Sequence, residues 1–414
     1  MKKEILFSLF LANVIFLIAQ EKKINYDFYG FVRSDFYYNS RLNKEGSDGL
    51  SVAYPLGENN DIYGNDLNAI PQSGMQSIGT RMGVDFSGSK MLGADATAKI
   101  ECDFIGTTGY NTMIRIRHAY MDLNWKNAQI LTGQTWHPMA GDVRPSQLNL
   151  NSGVPFQPFA RSPQIKLAYK IKNLRLFAVA SSQLQYTCDG PIGKSNTYMK
   201  NANIPDLYAG IQNKGENWTF GAGGEMKKIV PRTSAEVDSF TVKVDESLIS
   251  YACNIYAKYE KSLLLVKTKL TYGQNMCDYG MISGYGISSL DTITGRQTYT
   301  SINTFSSWIN IVYGKKWIVG VYAGYTKNLG SDASLFDDNG ELTIYGNAVN
   351  GNEMIGSIYK ISPQIIFNHS NFQAGIEYDY TVAEWGDVTP TDGVVRNTYN
   401  VLNHRILIAL SYMF

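Results

Sequence analysis

Charged residues two positions apart recur along this chain. Arg115 and Arg117 stand in MIRIRHAY, Arg33 and Asp35 in FVRSDF, and Glu101 and Asp103 in KIECDF. A spacing of two puts both side chains on one face of an extended strand. Arg81, Asp85, Asp95 and Lys166 fall on the charged parity of their own stretches. Guanidinium forks grip carboxylates in bidentate fashion, so an arginine row can attract and hold anions. The alternative is that these groups only solvate a polar face and pair across strands. Other chemistry finds little support. His118, His137, His369 and His404 show no metal-ligand spacing, and there is no CxxC. No GxSxG nucleophile elbow occurs. CDGPIGKS at 188–195 echoes a phosphate loop, but Cys188 occupies the first glycine position and no helix is expected after it. No catalytic residue, metal or cofactor is expected.

The balance of charge narrows the partners. The formal net charge is +1, and it falls to zero once Lys2, Lys3 and Glu4 are discounted. That excludes the basic excess of a nucleic-acid binder. Lys2 and Lys3 precede an apolar run from Ile5 to Ile18, with Ala19 and Gln20 after it. This reads as a secretory signal peptide over 1–20, ahead of a mature chain over 21–414. No later run of 18 apolar residues is present, so no helical membrane span is expected. Cys102 and Cys253 read as small wall residues. Cys188 and Cys277 fall in expected loops and are expected to stay unpaired, because four scattered cysteines make no disulfide framework.

The elements that must carry these charges alternate with period two. Ile24, Tyr26, Phe28, Val32, Phe36 and Tyr38 take one parity, and Asp27, Arg33 and Asp35 the other. The split recurs over 76–87, 94–104 and 372–380. Short polar turns are expected at 88–91, 126–127, 172–173, 213–217, 260–262, 314–316 and 368–371. Long polar segments are expected near 43–74, 105–112, 138–161, 186–204, 231–247, 275–300, 328–350 and 385–399. Alternating short and long connections, with 28 Tyr and 18 Phe for interfacial girdles, describe an all-β transmembrane antiparallel barrel of about 16 strands. The short turns would be periplasmic and the long loops extracellular. HRILIALSYMF at 404–414 would close the barrel against the first strand, which removes the exposed edge. Its terminal Phe414 also looks like the signal that barrel-assembly machinery reads.

Facing lipid, each Lys or Arg would cost about 2–4 kcal/mol at the bilayer midplane. The charged parity is therefore expected to line a watery lumen. Segment 138–161 carries Pro residues, Arg144 and Arg161 with few acids, and is expected to fold inward as a constriction. Arg33, Arg81, Arg115, Arg117, Arg144, Arg161 and Lys166, with Asp85, Asp95, Glu101 and Asp103, are the candidate pore-lining residues.

IRIRHAYMDLNWKNAQILTGQTW (114–136) and ARSPQIKLAYKIKNLRLFAVASS (160–182) resemble the DcaP-like trimeric porins of Gram-negative outer membranes. The matching pieces are Arg117–Tyr120, Gly133–Trp136 and Arg161–Ile165, within about 70 residues. His137 departs from the Ser expected there, and the first strand follows the leader with no coiled-coil extension. The resemblance implies a homotrimer in the outer membrane that passes small anionic solutes, dicarboxylates among them. It places Arg115, Arg117 and Arg161 at the constriction. The resulting expectation is passive diffusion of small hydrophilic solutes with a mild anion preference. Two rivals fit a barrel too: a lipid-hydrolase-type enzyme with Ser and His on the lipid face, and a non-conducting surface barrel.

Overall fold

A computed structural model describes residues 24–47, 49–108 and 111–414; the expected leader over 1–20 lies outside them. Sixteen antiparallel strands close into one barrel. They are β1 (Asn25–Asn39), β2 (in two pieces, Gln72–Gln76 and Arg81–Met91), β3 (Ala94–Thr108), β4 (Asn111–Asn124), β5 (Ala128–Trp136), β6 (Arg161–Ile171), β7 (Leu174–Ser181) and β8 (Asp206–Lys214). There follow β9 (Trp218–Ile229), β10 (Leu248–Lys261), β11 (Leu264–Gln274), β12 (Gln297–Gly314), β13 (Trp317–Ser331), β14 (Glu353–His369), β15 (Phe372–Val388) and β16 (Val395–Met413). Closure runs through β1 and β16, from Phe31 opposite Met413 to Asn39 opposite Arg405. Gly30 and Phe414 exchange backbone hydrogen bonds of 3.0 and 3.1 Å below that register. The apolar C-terminal stripe is thus paired on both edges.

Alternation sets the faces. In β12, Ile309 and Ile311 are 42% and 38% exposed, while Trp308 and Asn310 between them are 3% and 0%. In β1, Phe28, Val32 and Phe36 face out and Arg33 and Asp35 are buried; in β6, Ile165, Leu167, Tyr169 and Ile171 face out. Exposed Phe28, Trp218, Tyr313, Trp317 and Tyr412 ring the end with the short turns. Exposed Tyr38, Tyr251, Tyr272, Tyr325 and Tyr359 ring the other. Two aromatic belts around an apolar band are the surface of an outer-membrane barrel.

Three expected boundaries move. Gly88 does not turn the chain. It sits, at φ 92°, in a bulge between Phe86 and Ser89. The reversal comes at Leu92 and Gly93, with φ of 53° and 78°, as a tight hairpin needs. The loop expected over 105–112 is mostly ladder, because Thr107 and Thr108 pair with Thr112 and Asn111. The loop expected over 385–399 shrinks to 389–394, since β15 reaches Val388 and β16 begins at Val395. There Thr398 donates to Glu384 at 2.8 Å. A ladder needs only backbone partners, so polar side chains beyond the apolar band do not end a strand.

Segment 137–160 packs against the inner face. Val143 and Phe156 join Tyr256, Trp308 and Tyr322 in one buried cluster. Gly324 leaves room for this, since a Cβ there would meet the Phe156 ring at 2.5 Å. Burying a side chain like Phe156 contributes about 1.5–3 kcal/mol toward holding the segment.

Candidate functional site

The inner face offers two groups of bases. The first lies on β1 to β4. Arg33 is bidentate on Asp35, with Nε and Nη2 at 2.9 and 2.6 Å from Oδ1 and Oδ2 also within reach of Nε at 3.0 Å. Arg115 grips Asp103 through Nε at 3.0 Å and Nη2 at 2.8 Å. Arg117 bridges two acids, Glu101 at 2.6 Å and Asp103 at 2.8 Å. Arg81 stands 3.6 Å from Glu101, and Lys99 3.0 Å from Asp85. The double use of Asp103 depends on a bulge. Glu101 pairs with His118 and Cys102 with Ile116, so Arg117 is the extra residue in β4. Asp95 lies apart from this group, exposed at the turn end and 4.0 Å from Lys90.

The second group gathers at a cavity of about 280 Å³ between β5, β6, β7 and segment 137–160, which Arg144, Lys166 and Arg175 line; Arg161, Lys267 and Lys269 lie behind its lining. Trp136 is its centre. The Arg144 guanidinium lies 4.4 Å from the Trp136 ring and that of Arg161 4.8 Å. Lys166 stands 4.8 Å from the Phe177 ring. Arg175 reaches Gln129, and its nearest carboxylate oxygen belongs to Asp142 at 3.9 Å. Lys267 donates to Ser146 at 2.8 Å, and Lys269 to the carbonyl of Ala140 at 2.6 Å. Among the described residues no carboxylate lies within 4.0 Å of Arg144, Arg161, Lys166, Lys267 or Lys269. Arg161 is fully buried. Its Nη2 donates to Tyr186 at 2.7 Å, while Nε and Nη1 have no hydrogen-bond partner.

Segment 137–160 is fastened around the barrel mainly by its backbone. Asn310 of β12 accepts from the Ser146 amide at 2.8 Å, and Gln364 of β14 and Glu377 of β15 accept from the Leu148 amide at 2.8 Å. Arg33 of β1 donates to the Leu148 carbonyl at 2.7 Å. Trp308 donates its indole N–H to Gln157 at 2.8 Å.

Of the residues read from sequence, Arg81, Arg115, Arg117, Glu101 and Asp103 come together, and so do Arg144, Arg161 and Lys166. Arg175, Trp136 and Asp142 were missed. Arg175 alternates with outward Leu174 and Leu176, which is the same period-two signal that marks Lys166. Among the described residues one serine hydroxyl meets a histidine ring nitrogen. His137 Nε2 lies 2.9 Å from Ser181 Oγ and 3.5 Å from Glu225 Oε1, while Nδ1 accepts from the Met139 amide at 3.3 Å. Serine and carboxylate meet the same nitrogen, so the imidazole cannot relay a proton between them. Burial, reinforced by the Lys227 charge, pushes His137 down to about 3. Ser181 and His137 are both buried rather than on the lipid face.

No family model matches the sequence, and no curated protein matches it. Solved structures do match in fold. The outer membrane channel DcaP of Acinetobacter baumannii superposes with a TM-score of 0.66 at 17% identity, over 94% of this chain and 97% of that one. OmpT, an outer membrane protein of Vibrio cholerae, gives 0.54 at 11% identity over 95% and 99%. Salmonella typhi OmpF, in complex with daunomycin, gives 0.52 at 11% over 94% and 97%. These likenesses establish the barrel fold.

Proposed function

We propose that this barrel is a passive outer-membrane porin for small hydrophilic solutes, with a mild preference for anions, and that segment 138–161 forms its constriction. The carrying observation is the second group of bases. Arg144, Lys166 and Arg175 line one cavity with Asp142 as the nearby acid, and Lys267 and Lys269 stand behind segment 137–160, on Ser146 and Ala140. A base with no partner keeps its field for a passing anion, whereas a paired base spends it on its neighbour. The inward fastening of segment 137–160 supports a narrowed passage beside those bases. The rings of Trp136 and Phe177 at the same cavity suit a carboxylate that carries an apolar body. A homotrimer, and recognition of the C-terminal strand by barrel-assembly machinery, complete the reading.

Reconstitution tests it. Purified barrel in planar bilayers should give stepwise conductance, and liposomes containing it should swell in dicarboxylate faster than in a cationic solute of equal size. Absence of conductance would favour a closed structural barrel. Equal swelling rates would leave a porin without the anion preference.

A further inference from the structure

We infer that Cys188 and Cys277 form a disulfide that ties segment 182–205 to segment 275–296 on the loop side of the barrel. The two thiols, together with an oxygen of Asp278, have their ligand-type atoms within 4.8 Å of one another. Both side chains are buried and share a cluster with Tyr198 and Tyr285. Both present free sulfur here. Their backbones are already placed: Cys188 donates its amide to Gln183 at 3.0 Å, and the Cys277 carbonyl accepts from Asn347 at 2.6 Å. The other two cysteines lie elsewhere on the barrel wall, so the pairing has one partner choice.

A metal ion is the weaker occupant. The Asp278 carboxylate is closed on both oxygens, by Lys227 at 2.6 Å and Gln183 at 3.2 Å. A cation among these atoms would face the Lys227 ammonium directly. Two thiols outside the cytoplasm, with no free third ligand, suit oxidation better.

The chemistry balances with a protein disulfide as oxidant. The Cys277 thiolate attacks one sulfur of that disulfide and expels its partner as a thiolate. The Cys188 thiolate then attacks the Cys277 sulfur of the mixed disulfide and expels the second. Two protons pass from the cysteines to the oxidant, which leaves as a dithiol. Because both sulfurs are buried in the finished fold, the exchange belongs to assembly, before the two segments pack.

The consequence reaches the basic cavity. Cys277 opens the turn Cys277–Tyr279, and the Tyr279 carbonyl accepts from the Phe159 amide at 3.0 Å. The bond thus braces the turn on which the end of segment 137–160 rests.

The test uses the whole barrel purified from outer membranes without reductant. It is unfolded in denaturant with excess iodoacetamide and mapped by mass spectrometry. The expected result is alkylation of Cys102 and Cys253 only, with a Cys188–Cys277 peptide two hydrogens lighter than its parts. Alkylation of all four cysteines would overturn the inference. So would thiols that become reactive only after a chelator removes a bound metal. In Cys188→Ser, Cys277 should become alkylatable, and the variant should melt below the wild type only while reductant is absent.

Discussion

The wall from β1 to β4 and the cavity around Trp136 hold similar numbers of bases and differ in what those bases meet. On the wall, Arg33, Arg81, Arg115, Arg117 and Lys99 each have a carboxylate within 4.0 Å. At the cavity, Arg144, Lys166, Lys267 and Lys269 meet carbonyls, a hydroxyl or rings instead. An arginine row therefore says little about selectivity until its acids are counted. The wall's charges knit neighbouring strands, whereas Arg144 and Lys166 line the cavity without a carboxylate partner among the described residues.

The largest effect should come from stranding charge on the wall. Asp103 is fully buried and serves two guanidiniums. Breaking a buried pair by removing one partner costs about 3–5 kcal/mol, and water in the lumen should bring Asp103→Ala toward the lower figure. Heat-modifiable migration in detergent should be lost at a lower temperature. An unchanged midpoint would mean the wall's pairs are only solvated neighbours.

Next comes reversal of charge at the cavity. Two unit charges 4 Å apart interact by about 1 kcal/mol in water-like surroundings, roughly five-fold in a permeability ratio. Arg144→Glu with Lys267→Glu should turn the pore cation-selective while the barrel still assembles. A wild-type permeability ratio in that variant would remove both residues from the constriction.

A smaller effect sharpens the contrast. Arg115→Gln with Asp103→Asn removes one charge of each sign. The reversal potential should stay put, and stability should fall less than in Asp103→Ala because one fewer unpaired charge is left. A shift toward cations would show that the wall contributes a field after all.

The smallest concerns salt. Going from 0.1 to 1 M shortens the Debye length from about 10 to about 3 Å. Anion preference should fade over that range while the melting midpoint hardly moves. A preference that survives high salt would point to direct contact with the solute rather than to a field.

Sequence went far with the barrel and less far with the site. Alternation over β1, β3 and β15 separates the two faces because one meets lipid and the other does not. Its limits lie where lipid ends. Asp387 and Arg396 look like loop residues, yet they sit opposite each other on paired strands above the apolar band. Arg115 and Arg117 were legible as a pair on one face. Pairing across strands was legible as the alternative, but the double use of Asp103 was not, because it depends on a bulge at Arg117 that no period-two pattern marks. Arg161 reads as a pore residue by motif, yet it is buried against Trp136, Phe159 and Tyr186.

The most direct measurement is the zero-current potential of single barrels in a potassium chloride gradient, for wild type and for Arg144→Gln/Lys166→Gln/Lys267→Gln. The expected wild-type potential is on the anion side, and the triple variant should bring it to or past the non-selective value with conductance retained. A wild-type potential that the triple variant leaves unchanged would contradict the assignment of the field to the unpaired bases.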